Sequence, residues 1–88
     1  IVIIKRDGHG EVFRKEKVYN SVYESCLNAH HNWKKATDIA KKVTNGVIKD
    51  LRGKKTVKAN HIFKIIATIL EKYDEDAAFL YETHRDVS

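Results

Sequence analysis

Ile1-Val2-Ile3-Ile4-Lys5-Arg6-Asp7-Gly8-His9-Gly10-Glu11-Val12-Phe13 opens the chain, and its reading decides the fold. The first four side chains are all β-branched and suit a pleated surface. Asp7-Gly8 is a tight-turn dipeptide, because both residue types tolerate positive φ. Glu11-Val12-Phe13 then returns as a second short strand. A two-stranded ribbon alone is marginal in water, so this hairpin must lie against something else.

Four helical stretches supply that support. Residues 15–29 set Val18, Val22 and Cys26 in one column with Tyr19, Tyr23 and Leu27 beside it, the i, i+4 spacing of a broad apolar face. After a polar break, Asn32 is placed to cap a second helix over residues 33–51. That helix carries Ala36, Ile39, Ala40, Val43, Val47 and Leu51 on one side and most of its lysines on the other. Gly46 inside it costs about 1 kcal/mol relative to alanine, which marks a close helix contact. Gly53 suits the left-handed position after a helix, and Thr56-Val57-Lys58 forms a short third strand beside the hairpin.

A third helix over residues 60–73 is apolar nearly all round, which predicts a central place in the bundle. Asp74-Glu75-Asp76 opens a fourth, with carboxylates at the positive end of its dipole, and Ala77, Ala78, Leu80, Tyr81 and His84 continue it. The expected fold is α+β: a small four-helix bundle capped by a short β-hairpin plus a third short strand, as one domain over residues 1–88.

Composition agrees. Eighty-eight residues make one small domain and too few for two. Such a chain buries ~60–65% of the surface its unfolded form exposes, which leaves little room for an enclosed active site. Hydrophobic residues at 42% and charged residues at 33% give a folded rather than a disordered balance. Cys26 is the one cysteine, so it has neither a disulfide partner nor a zinc-knuckle spacing; it reads as core, and the setting as a reduced cytoplasmic one. No apolar run approaches the ~20 residues that cross a bilayer, so no membrane association is expected. The start at Ile1 rather than Met leads to the expectation of a piece excised from a longer chain.

The net charge of +5 is unevenly spread. Residues 34–58 carry nine cations against Asp38 and Asp50, whereas residues 70–88 carry six carboxylates against Lys72 and Arg85. A basic centre favours phosphate-bearing partners, either free nucleotides or nucleic acid, and is equally what a solvated lysine-rich helix face looks like. The acidic last helix and the basic middle helix are complementary patches through which self-association would run.

Motifs for catalysis are missing. There is no Gly-Lys-Ser/Thr phosphate loop, no His-Glu-x-x-His and no Asp/Asn-rich calcium loop. His30 and His31 are adjacent, so on a helix they would point about 100° apart, poor geometry for one metal, and they read as surface residues. What remains is Lys5-Arg6-Asp7-Gly8 with Glu11, Phe13, Arg14 and Lys17. Lys5 and Arg6 end the first strand, and Lys17 lies in the first turn of the helix that follows the second. A strand end and a helix start can face one pocket. Each cation within about 4 Å of a phosphate charge contributes up to ~4 kcal/mol before desolvation, and the free N–H groups of a helix start add to it. Strand alternation places Ile1, Ile3 and Lys5 on one face, an apolar floor beside a cation that suits a purine and its phosphates.

These residues resemble the ATP-cone domain. The resemblance is carried by Ile3-Ile4-Lys5-Arg6-Asp7-Gly8, Glu11-Val12-Phe13 and Lys17-Val18 with Ser21 beyond, then by Thr56-Val57-Lys58 before a helix opening near Ile62 and by Tyr81-Glu82-Thr83-His84-Arg85 at the end. ATP-cones are small regulatory domains that bind ATP or dATP. They occur in ribonucleotide reductase large subunits, in the repressor of those enzymes' genes, in some archaeal kinases and in other nucleotide-responsive proteins. The resemblance implies that Ile3 and Val18 line a purine pocket, that Lys5 and Lys17 meet phosphates with Arg6 close by, and that Glu11 accepts from the adenine amino group. Arg14 stands where the family commonly has a short polar residue, and would reach the phosphates or stack on the base. Lys58-Ala59 and Phe63 replace a hydroxyl residue and a polar residue at the third helix, with His61 displaced by two, and Arg85 stands for the family's basic residue in the last helix. The expected ligand is ATP or dATP, with magnesium as companion of the triphosphate. The expected partner is a host catalytic or DNA-binding domain, and the expected role is allosteric rather than catalytic. The reading from a different class is a nucleic-acid-binding or protein-interaction module built on residues 34–58.

Overall fold

The computed structural model describes residues 1–87, with side chains through residue 83. Strand β1 (Val2–Ile4) is the middle of a three-stranded sheet ordered β2-β1-β3. Strand β2 (Gly10–Val12) runs antiparallel to it with Ile3 opposite Glu11, and β3 (Thr56–Lys58) runs parallel with Ile3 beside Val57. The turn is closed by the Gly8 N–H donating to the Lys5 carbonyl (2.9 Å) and the Lys5 N–H donating to that of His9 (2.8 Å). Gly8 sits at φ 87°, a left-handed conformation that glycine adopts without strain. Asp7 Oδ1 accepts from the His9 N–H at 2.9 Å, fixing the turn from its other side. Phe13, expected in the second strand, lies one residue beyond β2, yet its N–H donates to the Ile1 carbonyl at 3.0 Å and prolongs the ladder.

The crossover from β2 to β3 is an antiparallel helix pair, α1 (Lys15–Asn28) and α2 (Trp33–Leu51). Asn32 caps α2 as expected, its Oδ1 accepting from the Lys35 N–H at 2.8 Å. Helices α3 (Ala59–Tyr73) and α4 (Glu75–Val87) complete the bundle. Packing runs α1–α2, α2–α3, α3–α4 and α4–α1, a closed ring of four. The central position expected for the third helix is therefore corrected: α3 is one stave among four. Its surplus apolar side chains have another use, since Ile62, Phe63 and Ile66 turn toward the sheet while Ile65 and Ile69 lie half-buried against the core. Val22, Cys26, Ile39, Val43, Val47, Leu51 and Leu70 are fully buried inside the ring. Gly46 marks the close α2–α3 approach that its place in the sequence implies, because a Cβ there would stand 3.0 Å from the Ile69 δ-methyl. Burial, and then the charge of Asp74, push the Cys26 thiol up to about 11, so it packs as an inert protonated side chain. Among the described residues no helix is long and apolar enough to cross a membrane.

The end of the bundle away from the sheet is fastened by a pair that the sequence reading overlooked. His31 is not a surface residue: its ring is about a quarter exposed and its Nε2 bonds Asp74 Oδ2. Asp74 Oδ1 also accepts from the Ala77 N–H at 2.9 Å, capping α4. One carboxylate thus ties the α1–α2 turn to the α3–α4 junction. Burial pushes the Asp74 carboxyl up, but the Ala77 N–H and the His31 ring outweigh it and hold the group below the ordinary carboxylate range. A carboxyl with a depressed folded value contributes stability that is complete above its unfolded value and is lost as pH falls through the folded one. Asp74→Ala is expected to cost about 2 kcal/mol, the sum of a lost cap and a lost charge-assisted bond, read as a lowered urea midpoint at pH 7. The same variant should show a shallower loss of stability on acidification than the parent.

Candidate functional site

Between the inner face of the sheet and the starts of α1 and α3 lies a cavity of ≈ 200 Å³. Ile3 of β1 and Lys5, one residue past the strand's end, share this face by period-two alternation, and the antiparallel register brings Glu11 directly opposite Ile3. Helix α1 contributes Lys17, Val18 and Ser21 from its first two turns, with Arg14 at its N-cap. Ile3, Val18, Ile62 and Ile66 form an apolar floor. Phe63 and Tyr81 close one side, their rings stacked with centroids 5.2 Å apart and planes 20° from parallel. The rim is charged.

The two lysines converge. Lys17 Nζ lies 2.7 Å from Glu11 Oε1, and Lys5 Nζ lies 3.3 Å from Glu11 Oε2. The hydrogen bond from Lys17, then that from Lys5, and then the two positive charges hold the Glu11 carboxyl below its ordinary range. All three side chains remain substantially exposed, at 65% for Lys17, 48% for Lys5 and 31% for Glu11, so each contact is open to exchange with solvent or a ligand.

A second, larger concavity of ≈ 650 Å³ adjoins the first, with Lys5 and Ala59 lining both. It is lined by Arg6 and Gly8 of the hairpin turn, by Ile4, and by Lys58 and Asn60 at the start of α3. Arg14 and Lys58, the N-cap residues of α1 and α3, make no side-chain cap bond. Two helix starts therefore open beside the cationic rim, each with N–H groups that lack an intrahelical partner.

Of the residues singled out in the sequence, Ile3, Lys5, Glu11, Arg14, Lys17 and Val18 come together around the first cavity, and Arg6 and Lys58 join Lys5 around the second. Arg85 lies outside the described side chains. His61 meets Lys54 Nζ at 3.5 Å instead of either concavity. The sequence reading did not assign Ile62, Ile66 or Asn60 to the site, nor the pairing of Phe63 with Tyr81. The available signal was the apolar excess of α3, which exceeds what one core-facing stripe requires. The basic segment is partly spent on its own surface: Lys42 Nζ pairs with Asp38 at 3.0 Å and lies over the Tyr73 ring, Lys34 lies over Trp33, and Lys54 reaches Asp50 at 4.0 Å.

An apolar slot with an aromatic wall, edged by converging cations and helix starts, is built for a flat ring bearing an anionic chain. Compared with known families, residues 1–87 match the ATP cone domain. The chain belongs to the ATP-cone family. The match takes in every element of the fold, the ribbon and all four helices alike. An ATP-cone is a regulatory module that binds adenine nucleotides and does no catalysis itself. No curated protein matches the chain.

Proposed function

We propose that this ATP-cone is a sensor of ATP or dATP, a single domain whose occupancy sets how it contacts a host protein. The observation that carries the reading is the convergence of Lys5 and Lys17 at one point on the rim of a slot floored by Ile3 and Val18. The purine lies in the slot beside Phe63 and Tyr81, with Glu11 in reach of its amino group. The phosphates run over Lys5, Lys17 and Arg14 toward Arg6 and Lys58, with Arg85 a further cation of the last helix and magnesium accompanying the triphosphate. The host is a catalytic or DNA-binding domain, as in ribonucleotide reduction or the transcriptional control of that pathway, working in the cytoplasm. Regulation follows if the nucleotide binds two conformations or association states unequally, since only differential affinity moves an equilibrium. Contact between the basic face of α2 and the acidic start of α4 of a second copy is the self-association that charge favours.

Titration calorimetry of the chain with ATP, dATP and GTP tests this. Saturable heat with the adenine nucleotides and weaker binding of GTP are expected; no heat at millimolar nucleotide defeats the reading. The nucleic-acid alternative draws on the same lysine-rich stretch that is engaged with Asp38, Asp50 and two aromatic rings. It requires a gel shift that fades steeply with salt and ignores base identity.

A further inference from the structure

The Glu11 carboxylate lies between the two ammonium groups of the groove's rim. Its two carboxylate oxygens are shared between two ammonium groups, Oε1 with Lys17 at 2.7 Å and Oε2 with Lys5 at 3.3 Å. A carboxylate and a phosphoryl group are both planar-edged or tetrahedral arrays of closely spaced oxygens, and cationic side chains bind either with the same donors. The spacing of Lys5 and Lys17 is thus already set to grip adjacent oxygens of one anionic group. The carboxylate is tethered on β2, so it competes for those lysines without any loss of translational freedom.

From this geometry we propose that Glu11 is a built-in competitor for the phosphate site: a phosphoryl group of the ligand displaces its carboxylate from Lys5 and Lys17. This rests on the nucleotide-site reading and deepens it. The displacement is feasible because the ion pairs are exposed, and such pairs are individually weak. It also sets a threshold on the ligand. A molecule with a single weak negative charge gains little over the carboxylate it replaces, whereas a polyphosphate brings more charge and extends to Arg6 and Lys58 in the adjoining concavity. The groove therefore favours ligands by the charge of their phosphate chain, separately from any preference for the base.

The test uses inorganic tripolyphosphate, which has no base for Glu11 to contact, alongside ATP. Both are titrated into the chain and into Glu11→Gln, which keeps the size and hydrogen-bonding oxygen of the side chain and removes its charge. Glu11→Ala serves as a second variant, and thermal melts establish that both fold. Removing this one carboxylate, and with it two exposed ion pairs, is expected to tighten tripolyphosphate binding about 3- to 10-fold in both variants. Unchanged or weaker tripolyphosphate binding by the variants, with ATP still bound by the parent chain, overturns the competitor role and leaves the nucleotide site standing. Failure of the parent and both variants to bind ATP removes the site itself, and the competitor with it.

Discussion

Lys5→Ala combined with Lys17→Ala is expected to weaken ATP binding by at least ~100-fold while leaving the domain folded. A hydrogen bond to a charged group is worth about 1.5–3 kcal/mol, so two such contacts to phosphate amount to roughly 3–6 kcal/mol, and ~100-fold is the lower end of that range. Stability responds far less. Both ammonium groups sit at the surface, and their one shared protein partner, Glu11, is left able to take water in their place. Exposed pairs of this kind carry about 0–1 kcal/mol each. The variant should accordingly melt within a few degrees of the parent and give no heat with ATP at concentrations that saturate the parent. A variant that retains most of its ATP affinity would show that the rim cations are bystanders.

The largest effect on stability is expected from Leu70→Ala. Leu70 is fully buried in α3, inside the ring that α3 closes between α2 and α4. Truncating a buried leucine costs the transfer of the lost methyl groups plus the cavity left behind, together about 2–5 kcal/mol. Relaxation is restricted here, because the residue's own carbonyl accepts the Asp74 N–H at 2.8 Å and Asp74 is fastened to His31 and Ala77. The upper half of the range therefore applies. For a domain of this length, whose total stability is on the order of 4–13 kcal/mol, that is a large share. Equilibrium urea unfolding reads it directly, and a loss below about 1 kcal/mol would contradict the packing described for the ring.

The sequence carried the architecture further than it carried the site. Asp7-Gly8 between β-branched and returning residues specifies a hairpin through local chemistry alone, and the columns of Val18, Val22 and Cys26 specify a helix face through period alone. Both signals act over a few residues, and both elements formed where they indicated. The direction in which β3 joins the sheet has no local signal, since three strand-favouring residues look the same parallel or antiparallel; the α1–α2 crossover decides it. The same limit explains the site. Alternation places Lys5 on the face of Ile3, and the helix start places Lys17 in the first turn of α1, but the meeting of both ammonium groups on Glu11 depends on how three long side chains turn. Phe63 and Tyr81 stand on separate helices with no spacing to relate them, and only the α3–α4 packing reveals that their rings stack beside the slot. His31 and Asp74 are 43 residues apart, in segments that have no periodicity to relate them.

The middle place of β1 in the sheet has a mechanical side. One three-residue strand is at once the seam that holds both neighbours and the carrier of Ile3, and Lys5 follows directly on its end. Tension applied at residue 1 would unzip that seam bond by bond and draw the slot's floor and one of its cations away from α1, while the helical ring below stayed whole. A molecule bound in the groove would bridge that seam to α1 and so oppose the pull.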